Sequence, residues 1–159
     1  MKIKVLITVK TYPNISPKYE EVVCTAGVRE DGSWIRIYPI PFRKMDYDKR
    51  FKKYQWIELN LERRTEDFRP ESYRPLNIGE ISLLEKIDTA NYWQKRREII
   101  LKNEYYSLDK LIKNAKDKKI KKSLAVFKPR EIIDFIYEEV EREWDKDKVE
   151  ELEAQTLLL

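Results

Sequence analysis

Apolar residues at every second position mark two segments of this chain as β-strands. Residues 2–10 have apolar side chains at positions 3, 5, 7 and 9, and residues 55–64 have them at positions 57, 59 and 61. Successive side chains of a strand point to opposite faces, so each segment has one apolar face and one polar face. This spacing favours strands over amphipathic helices and predicts a β-rich domain.

A hairpin lies between these two strands. Residues 21–28 and 34–38 both have strand character, and the turn between them contains Asp31-Gly32, a dipeptide that suits tight hairpin turns. Pro39 follows the second of these strands. Because a proline cannot donate a hydrogen bond to a ladder, we expect that strand to end there.

Prolines and charged residues predict the segments that connect the strands. Residues 11–18 and 64–75 contain prolines and are predicted as loops. Residues 42–54 are polar and basic and predict a short helix, and residues 77–87 predict a further short strand.

Two helices are predicted in the second half of the chain. The first begins at Asp88 or Thr89 and runs to about Asn103. The second begins at Ser107, whose hydroxyl can accept a hydrogen bond from the first helical turn. Residues 131–144 are predicted as a strand, although the spacing of their apolar residues also allows a helix.

Together these elements predict an α+β fold, a small OB-like, partly closed antiparallel β-barrel with a helical insert and a C-terminal helix. The predicted domain comprises residues 1–144, with the insert at about residues 88–116. Residues 145–159 are predicted as an acidic C-terminal helix or tail.

The composition excludes several kinds of active site. The 159 residues include no histidine, one cysteine and three glycines. Histidine-based catalysis, cysteine-rich zinc sites, internal disulfides and glycine-rich phosphate loops are therefore excluded. No apolar run approaches the roughly 18 residues of a membrane span, so we expect a cytoplasmic protein. Cys24 lies among apolar strand residues and is expected to be a buried, inert thiol.

Charge is divided unequally along the chain. Residues 1–130 contain 30 Lys and Arg and 18 Asp and Glu, whereas residues 131–159 contain 3 and 11. A body of net charge +12 before a tail of −8 is typical of a protein that binds a polyanion. The tail could shield that surface or bind a basic partner, and two merely solvated faces would give the same pattern.

Basic and aromatic residues alternate in the hairpin and in two later clusters. Trp34, Arg36 and Tyr38 share one strand face, where rings can stack on bases and a guanidinium can contact phosphate. The alternative is that Trp34 and Tyr38 pack beneath the helices. The predicted nucleic-acid-binding residues are Trp34, Arg36, Tyr38, Arg43, Lys44, Lys52, Lys53, Tyr54, Arg69, Ser72 and Arg74.

The stiff, proline-bounded segment 64–75 supplies three of these residues. We expect it to direct Arg69, Ser72 and Arg74 towards one anion, since arginine and serine both donate to phosphate. The alternative is a network of internal ion pairs between its acidic residues and its arginines.

A metal-dependent nuclease is the enzymatic alternative. It would use the carboxylates beside the basic clusters, which are Glu58, Glu62, Asp67 and Glu71. Such an enzyme needs two or three carboxylates that converge on a hard cation. The sequence has no motif of that kind, so we expect no catalytic residue, no bound metal and no cofactor.

Three motifs resemble those of a known group of proteins. Two of them, Cys24-x-Ala26-Gly27 and Gly32-x-Trp34-Ile35-Arg36, resemble the N-terminal signature of uncharacterised prokaryotic proteins described as dual OB-fold-containing. The third, Ser123-Leu124-x-Val126-x-Lys128-Pro129, resembles a later strand of the same group.

A second resemblance covers Tyr12 to Pro75. It is to a family of hypothetical bacterial and archaeal proteins, and its motifs are Tyr38-Pro39, Pro41-Phe42-Arg43, Gln55-Trp56-Ile57 and Arg69-Pro70-Glu71-Ser72. Both resemblances imply a β-barrel module with a nucleic-acid role in defence against mobile elements.

The function expected from these observations is non-catalytic binding of RNA or DNA. The module would act alone or as a subunit of a prokaryotic defence or nucleic-acid-processing complex. Two alternatives stay open. One is a protein-interaction subunit that docks through residues 131–159, and the other is the metal-dependent nuclease.

Overall fold

The computed structural model describes residues 1–16, 20–140, 146–147, 149–150 and 154. Its strands are β1 (Lys2–Lys10), β2 (Asn14–Ser16), β3 (Glu20–Val28), β4 (Trp34–Ile40), β5 (Gln55–Arg63), β6 (Ser72–Pro75), β7 (Ser82–Lys86), β8 (Glu104–Tyr105) and β9 (Val126–Phe127). Its α-helices are α1 (Ala90–Ile100) and α2 (Leu108–Lys116). Short 3₁₀ helices span Phe42–Lys44, Tyr47–Lys49, Ile78–Glu80 and Leu101–Asn103.

Five of the strands close into a barrel. β1 pairs with β3, β3 with β4, β4 with β6, β6 with β5, and β5 returns to β1. The β4–β6 pairing is parallel and the other four are antiparallel. This is a five-stranded Greek-key barrel of the OB type, so the predicted α+β class with a small OB-like barrel is confirmed.

The apolar faces predicted from the alternating residues line the inside of the barrel. The core contains Ile3, Val5, Ile7, Val23, Ile35, Ile37, Ile40, Met45, Phe51, Ile57, Leu59, Leu61 and Ile81. The segment predicted as a helix at 42–54 instead forms two 3₁₀ helices. Phe51 enters the core from this segment and meets the ring of Phe42 edge-on, with ring centroids 5.2 Å apart.

The strand predicted to end before Pro39 continues to Ile40, so that prediction was wrong. Ile40 pairs with Val23 on β3, and across this irregularity Tyr38 and Pro39 together stand opposite Cys24. Two residues facing one form a β-bulge, which accommodates a proline because the ladder is already interrupted there.

The predicted loop 64–75 contains strand β6 in its last four residues. Ser72 pairs with Arg36 of β4 on one side, and Pro75 pairs with Leu61 of β5 on the other. β6 has only four residues and is too short to show an alternating pattern, so only its two neighbours make it a strand.

Helix α1 covers a small hydrophobic cluster on the outside of the barrel. The cluster consists of Leu6, Val28, Trp56 and Ile87, with Trp34 and Ile99 packed against it. Trp93 of this helix is exposed and takes no part in the cluster. Residues 91–93 have φ of 50–62°, in the left-handed region, so the apolar face is set by the residues that follow them.

Residues 131–140 form neither the predicted strand nor a helix. Their apolar side chains are exposed. Without a neighbouring strand, the backbone of this segment cannot form the hydrogen bonds of a sheet. Of the predicted C-terminal helix, residues 146–147, 149–150 and 154 are helical, and the others lie outside the described residues, as do residues 141–144. Within the described ranges, neither α-helix has the length and apolarity that a membrane crossing requires.

Candidate nucleic-acid interface

The outer face of strand β4 presents the predicted row of aromatic and basic side chains. Ile35 and Ile37 are fully buried, so Arg36 and Tyr38 point away from the barrel interior. Trp34 shares this outer face but packs against the hydrophobic cluster beneath α1, as the alternative interpretation expected for it. All three side chains are half-buried, and Arg36 and Tyr38 are the two that do not pack against this cluster.

The loop between β5 and β6, residues 64–71, folds against this outer face. This loop and strands β3 and β4 together line a depression of about 480 Å³, which we call the strand–loop cleft. It is lined by Cys24, Arg36 and Tyr38 from the strands and by Arg64, Glu66, Asp67, Phe68 and Arg69 from the loop.

Arg36 is held in the cleft by neutral groups. One guanidinium nitrogen donates to Cys24 Sγ at 3.1 Å and the other donates to Ser123 Oγ at 3.2 Å. Its Nε is buried and has no hydrogen-bond partner among the described residues. Cys24 is half-buried and lines the cleft, rather than lying inside the core as predicted.

Two aromatic rings line the cleft together with Arg36, and each lies beside another cation. The Tyr38 ring has the guanidinium carbon of Arg64 5.2 Å from its centroid. Phe68, in the loop, is 69% exposed, and Lys121 Nζ lies 5.8 Å from its ring centroid. An exposed ring beside a cation is the arrangement on which an unpaired base stacks.

A buried carboxylate fixes the shape of the loop. Asp67 accepts three side-chain hydrogen bonds from Arg69, the shortest of 2.7 Å, and a fourth of 2.7 Å from Ser72 Oγ. The hydrogen bonds from Arg69, followed by that from Ser72, hold the pKa of the Asp67 carboxyl well below its usual range. The internal ion pair considered for this loop is therefore present.

The arginines of the cleft differ in how their charge is balanced. Arg69 is neutralised by Asp67, and Arg64 Nε donates to Glu66 at 3.0 Å. Arg36 forms no ion pair with a carboxylate in the part of the chain that the structure describes. Among the described residues, Arg36 is therefore the arginine of the cleft without a direct ion pair, and the Ser123 hydroxyl that accepts from it donates in turn to Glu71.

The predicted grouping of Arg69, Ser72 and Arg74 around one anion does not occur. Ser72 is fully buried and directed at Asp67, and Arg74 Nε donates to Glu62 at 2.6 Å, away from the cleft. A buried hydroxyl cannot reach a surface ligand.

The remaining predicted residues lie outside the cleft. Arg43 pairs with Glu21 at 3.1 Å, and Lys44 follows it on the same 3₁₀ helix. Lys52 and Lys53 are exposed just before β5. Tyr54 is half-buried beneath the guanidinium of Arg96, whose carbon lies 3.9 Å from the ring centroid. These five residues do not line the strand–loop cleft, and their role in binding stays a prediction.

The carboxylates considered for a nuclease are dispersed. Glu58 pairs with Lys2 at 2.6 Å, and Glu71 accepts a 2.8 Å hydrogen bond from the Ser123 amide. Glu62 and Asp67 are paired with arginines, as described above. Over the described residues, no group of three or more Cys, Asp or Glu side chains is placed to hold a metal ion.

Phe68 and Arg64 are cleft residues that the sequence analysis did not select. Both lie in the loop after the most regular strand, and their position matters only once β6 is known to close the barrel. The signal available in the sequence was an aromatic residue within a charged, proline-bounded loop.

One comparison with known proteins gave a match. Residues 1–102 match a family model described as Domain of unknown function (DUF8758). No curated protein and no solved structure matches the chain. The resemblance to dual OB-fold-containing proteins stays a prediction.

Proposed function

Because this chain belongs to the DUF8758 family, whose function is unknown, we propose a function from its own surface: the protein binds single-stranded RNA or DNA in the strand–loop cleft. The observation that carries the proposal is the guanidinium of Arg36, which forms no direct ion pair among the described residues and lines the same cleft as the rings of Tyr38 and Phe68. Phosphate recognition and base stacking would then occur within one site.

The position of the cleft in the barrel supports this proposal. Oligonucleotides bind OB-folds on the face of the second and third barrel strands and at the loop between the fourth and fifth. In this barrel those elements are β3, β4 and the loop 64–71. Fold alone does not determine function, so the residues of the cleft carry the argument.

Exposed rings favour a single strand over a duplex. The bases of a duplex are already stacked on one another, whereas an unpaired base can stack on Phe68. The basic body of the chain, with net charge +12 over residues 1–130, would attract the backbone over a longer range. A role in a prokaryotic defence complex stays a prediction.

Filter binding over a salt series tests the proposal. The probes are RNA and DNA strands of about 12 nucleotides, within the site sizes of OB-folds, and the corresponding duplexes. We expect single strands to bind more tightly, with log K falling by about 0.7 per phosphate contact for each tenfold rise in salt. Absence of binding at low salt, or affinity that salt does not change, would contradict the proposal.

Residues 131–140 favour a second candidate function, protein interaction. Six of their apolar side chains, those of Ile132, Ile133, Phe135, Ile136, Tyr137 and Val140, are at least 75% exposed. The segment also contains four acidic residues and no basic one. A surface that fits this segment is basic and also contains apolar patches. Residues 1–130 of a second copy offer a basic surface.

Sedimentation velocity of the full chain tests this second function. Self-association that weakens with salt, and that the double substitution Ile133→Ser and Phe135→Ser abolishes, is the expected result. A wild-type protein that stays monomeric at every concentration and salt would remove this candidate.

A further inference from the structure

A second and larger cavity lies between the hairpin turn and helix α2. Its volume is about 770 Å³, within the range of small-molecule sites. Its walls come from residues 29–34, from residues 103–110 and from residues 120–124, with Pro70 and Glu71 at one side. We call it the barrel–helix cavity.

Three cations line the barrel–helix cavity. Arg29 donates to Ser33 Oγ at 3.0 Å, and Lys122 Nζ donates to the Tyr105 hydroxyl at 3.0 Å. Lys110 Nζ lies 5.9 Å from the centroid of the same Tyr105 ring. Within the described ranges, none of these three cations pairs with a carboxylate.

The two carboxylates of the cavity are occupied by other donors. Glu71 accepts from both the amide and the hydroxyl of Ser123, and Glu104 accepts from the Tyr106 hydroxyl. These donors are neutral, so the two carboxylates still offset part of the positive charge, and Glu104 Oε2 is buried without a hydrogen-bond partner among the described residues. Three cations against two carboxylates leave the lining a formal net charge of +1.

Flat aromatic surfaces stand beside these cations. Trp34, Tyr105 and Tyr106 all line the cavity, and Tyr106 is exposed. A ligand that satisfies both features combines a planar ring with an anionic group. A nucleotide has both, joined at the distance of one sugar.

We propose that the barrel–helix cavity binds a single nucleotide, with its base against Tyr105 and Tyr106 and its phosphate at Lys110 and Lys122. The nucleotide can be free or can be the end of a bound strand. The loop 64–71 contributes residues to both the cavity and the strand–loop cleft. Only the strand-borne case rests on the proposed function, because it requires a strand in that cleft.

Calorimetry with the full chain tests this inference. The probes are adenosine 5′-monophosphate and a single-stranded oligonucleotide with or without terminal phosphates. The variant Lys110→Gln, Lys122→Gln is compared with Lys118→Gln, Lys119→Gln, which removes the same charge from exposed lysines outside the cavity. The Tyr106→Ala variant tests the stacking contact.

The cavity variant is expected to lose about tenfold in affinity for the nucleotide, since two charge-assisted contacts disappear. The control variant should lose less than about fivefold in affinity. Tyr106→Ala should also weaken nucleotide binding. An effect on the monophosphate identifies a free nucleotide as the ligand. An effect confined to the phosphorylated end of the oligonucleotide identifies the strand.

Equal affinities of the cavity and control variants for both probes would overturn the inference. Failure of the proposed function has a different signature. In that case substitutions of Arg36 and Phe68 would leave oligonucleotide affinity unchanged, whatever happens at Lys110 and Lys122.

Discussion

The Arg36 guanidinium lies 3.1 Å from Cys24 Sγ, across the two strands that form the outer face of the barrel. A thiol sulfur is a weak acceptor, so this contact orients the guanidinium without neutralising it. The hydroxyl of Ser123 is likewise uncharged. Arg36 is thus held at the wall of the strand–loop cleft by uncharged partners, and the Glu71 carboxylate lies one hydroxyl away, behind Ser123.

Replacement of Arg36 by glutamine should weaken single-strand binding about tenfold, because one phosphate contact is lost. The slope of log K against log salt should fall by about 0.7. Arg74→Gln is the matched control, since Arg74 pairs with Glu62 away from the cleft. Equal losses in the two variants, measured by filter binding, would show that only overall charge matters.

Removal of the Phe68 ring should weaken binding without changing the salt dependence. Base–aromatic stacking contributes about 1–3 kcal/mol per base, which is roughly 5- to 150-fold in affinity. Phe68→Trp should retain the affinity that Phe68→Ala loses. Tyr47→Ala serves as control because Tyr47 is 87% exposed on a 3₁₀ helix outside the cleft. A loss in the control equal to that of Phe68→Ala would refute the assignment.

Asp67→Asn should destabilise the protein by roughly 1–3 kcal/mol, since the substitution leaves Arg69 and Ser72 without their charged acceptor. Urea unfolding measures this free energy. Glu66→Gln is a suitable control because Glu66 pairs with Arg64 at the surface, where ion pairs contribute little. Comparable losses of unfolding free energy in both variants would indicate that the buried Asp67 stabilises the fold no more than a surface carboxylate does.

The contribution of Asp67 to the free energy of unfolding should depend on pH. Its hydrogen bonds from Arg69 and Ser72 lower its pKa in the folded state. The stabilisation is therefore complete above the unfolded pKa of about 3.9 and declines as the pH falls below it. The difference in unfolding free energy between wild type and Asp67→Asn should be constant from about pH 5 to 7 and should shrink in more acidic solution. A difference that stays constant into acid would contradict this explanation.

Gly27→Ala should prevent normal closure of the barrel. A β-carbon at residue 27 would come within 2.2 Å of the Leu6 carbonyl oxygen and 2.7 Å of Val5 Cγ1. Since the obstruction includes backbone of the paired strand β1, we expect a loss of about 3 kcal/mol or more. Gly79→Ala is the control, because its nearest neighbour would be the Asn77 side chain at 3.3 Å. Thermal unfolding that is unchanged in Gly27→Ala would rule out this close approach.

The sequence predicts those strands whose own residues alternate. β1 and β5 were found in this way, and Asp31-Gly32 placed the hairpin between β3 and β4. β6 could not be predicted, because four residues without an alternating pattern become a strand only between two existing neighbours. The bulge at Pro39 was missed for a related reason, since it depends on the register of β3.

The residues of the candidate site also divide into those that a local sequence pattern predicts and those that only the closed barrel brings together. Arg36 and Tyr38 were found from their two-residue spacing on one strand. Phe68 was not, because its place beside them is set by the closure of the barrel rather than by any local pattern. Ser72 was assigned to a ligand because serine donates to phosphate, whereas its hydroxyl is used inside the loop.

The β1–β5 seam, in which Lys2 lies opposite Asn60 and Leu6 opposite Trp56, affects how the chain can fold during its synthesis. Of the barrel strands, β1 is synthesised first and can pair with β3 early, but its other edge has no partner until β5 has been made. The barrel cannot be complete until β6 has also been made. Any sheet that forms before then has an uncovered apolar face, to which chaperones or neighbouring nascent chains can bind.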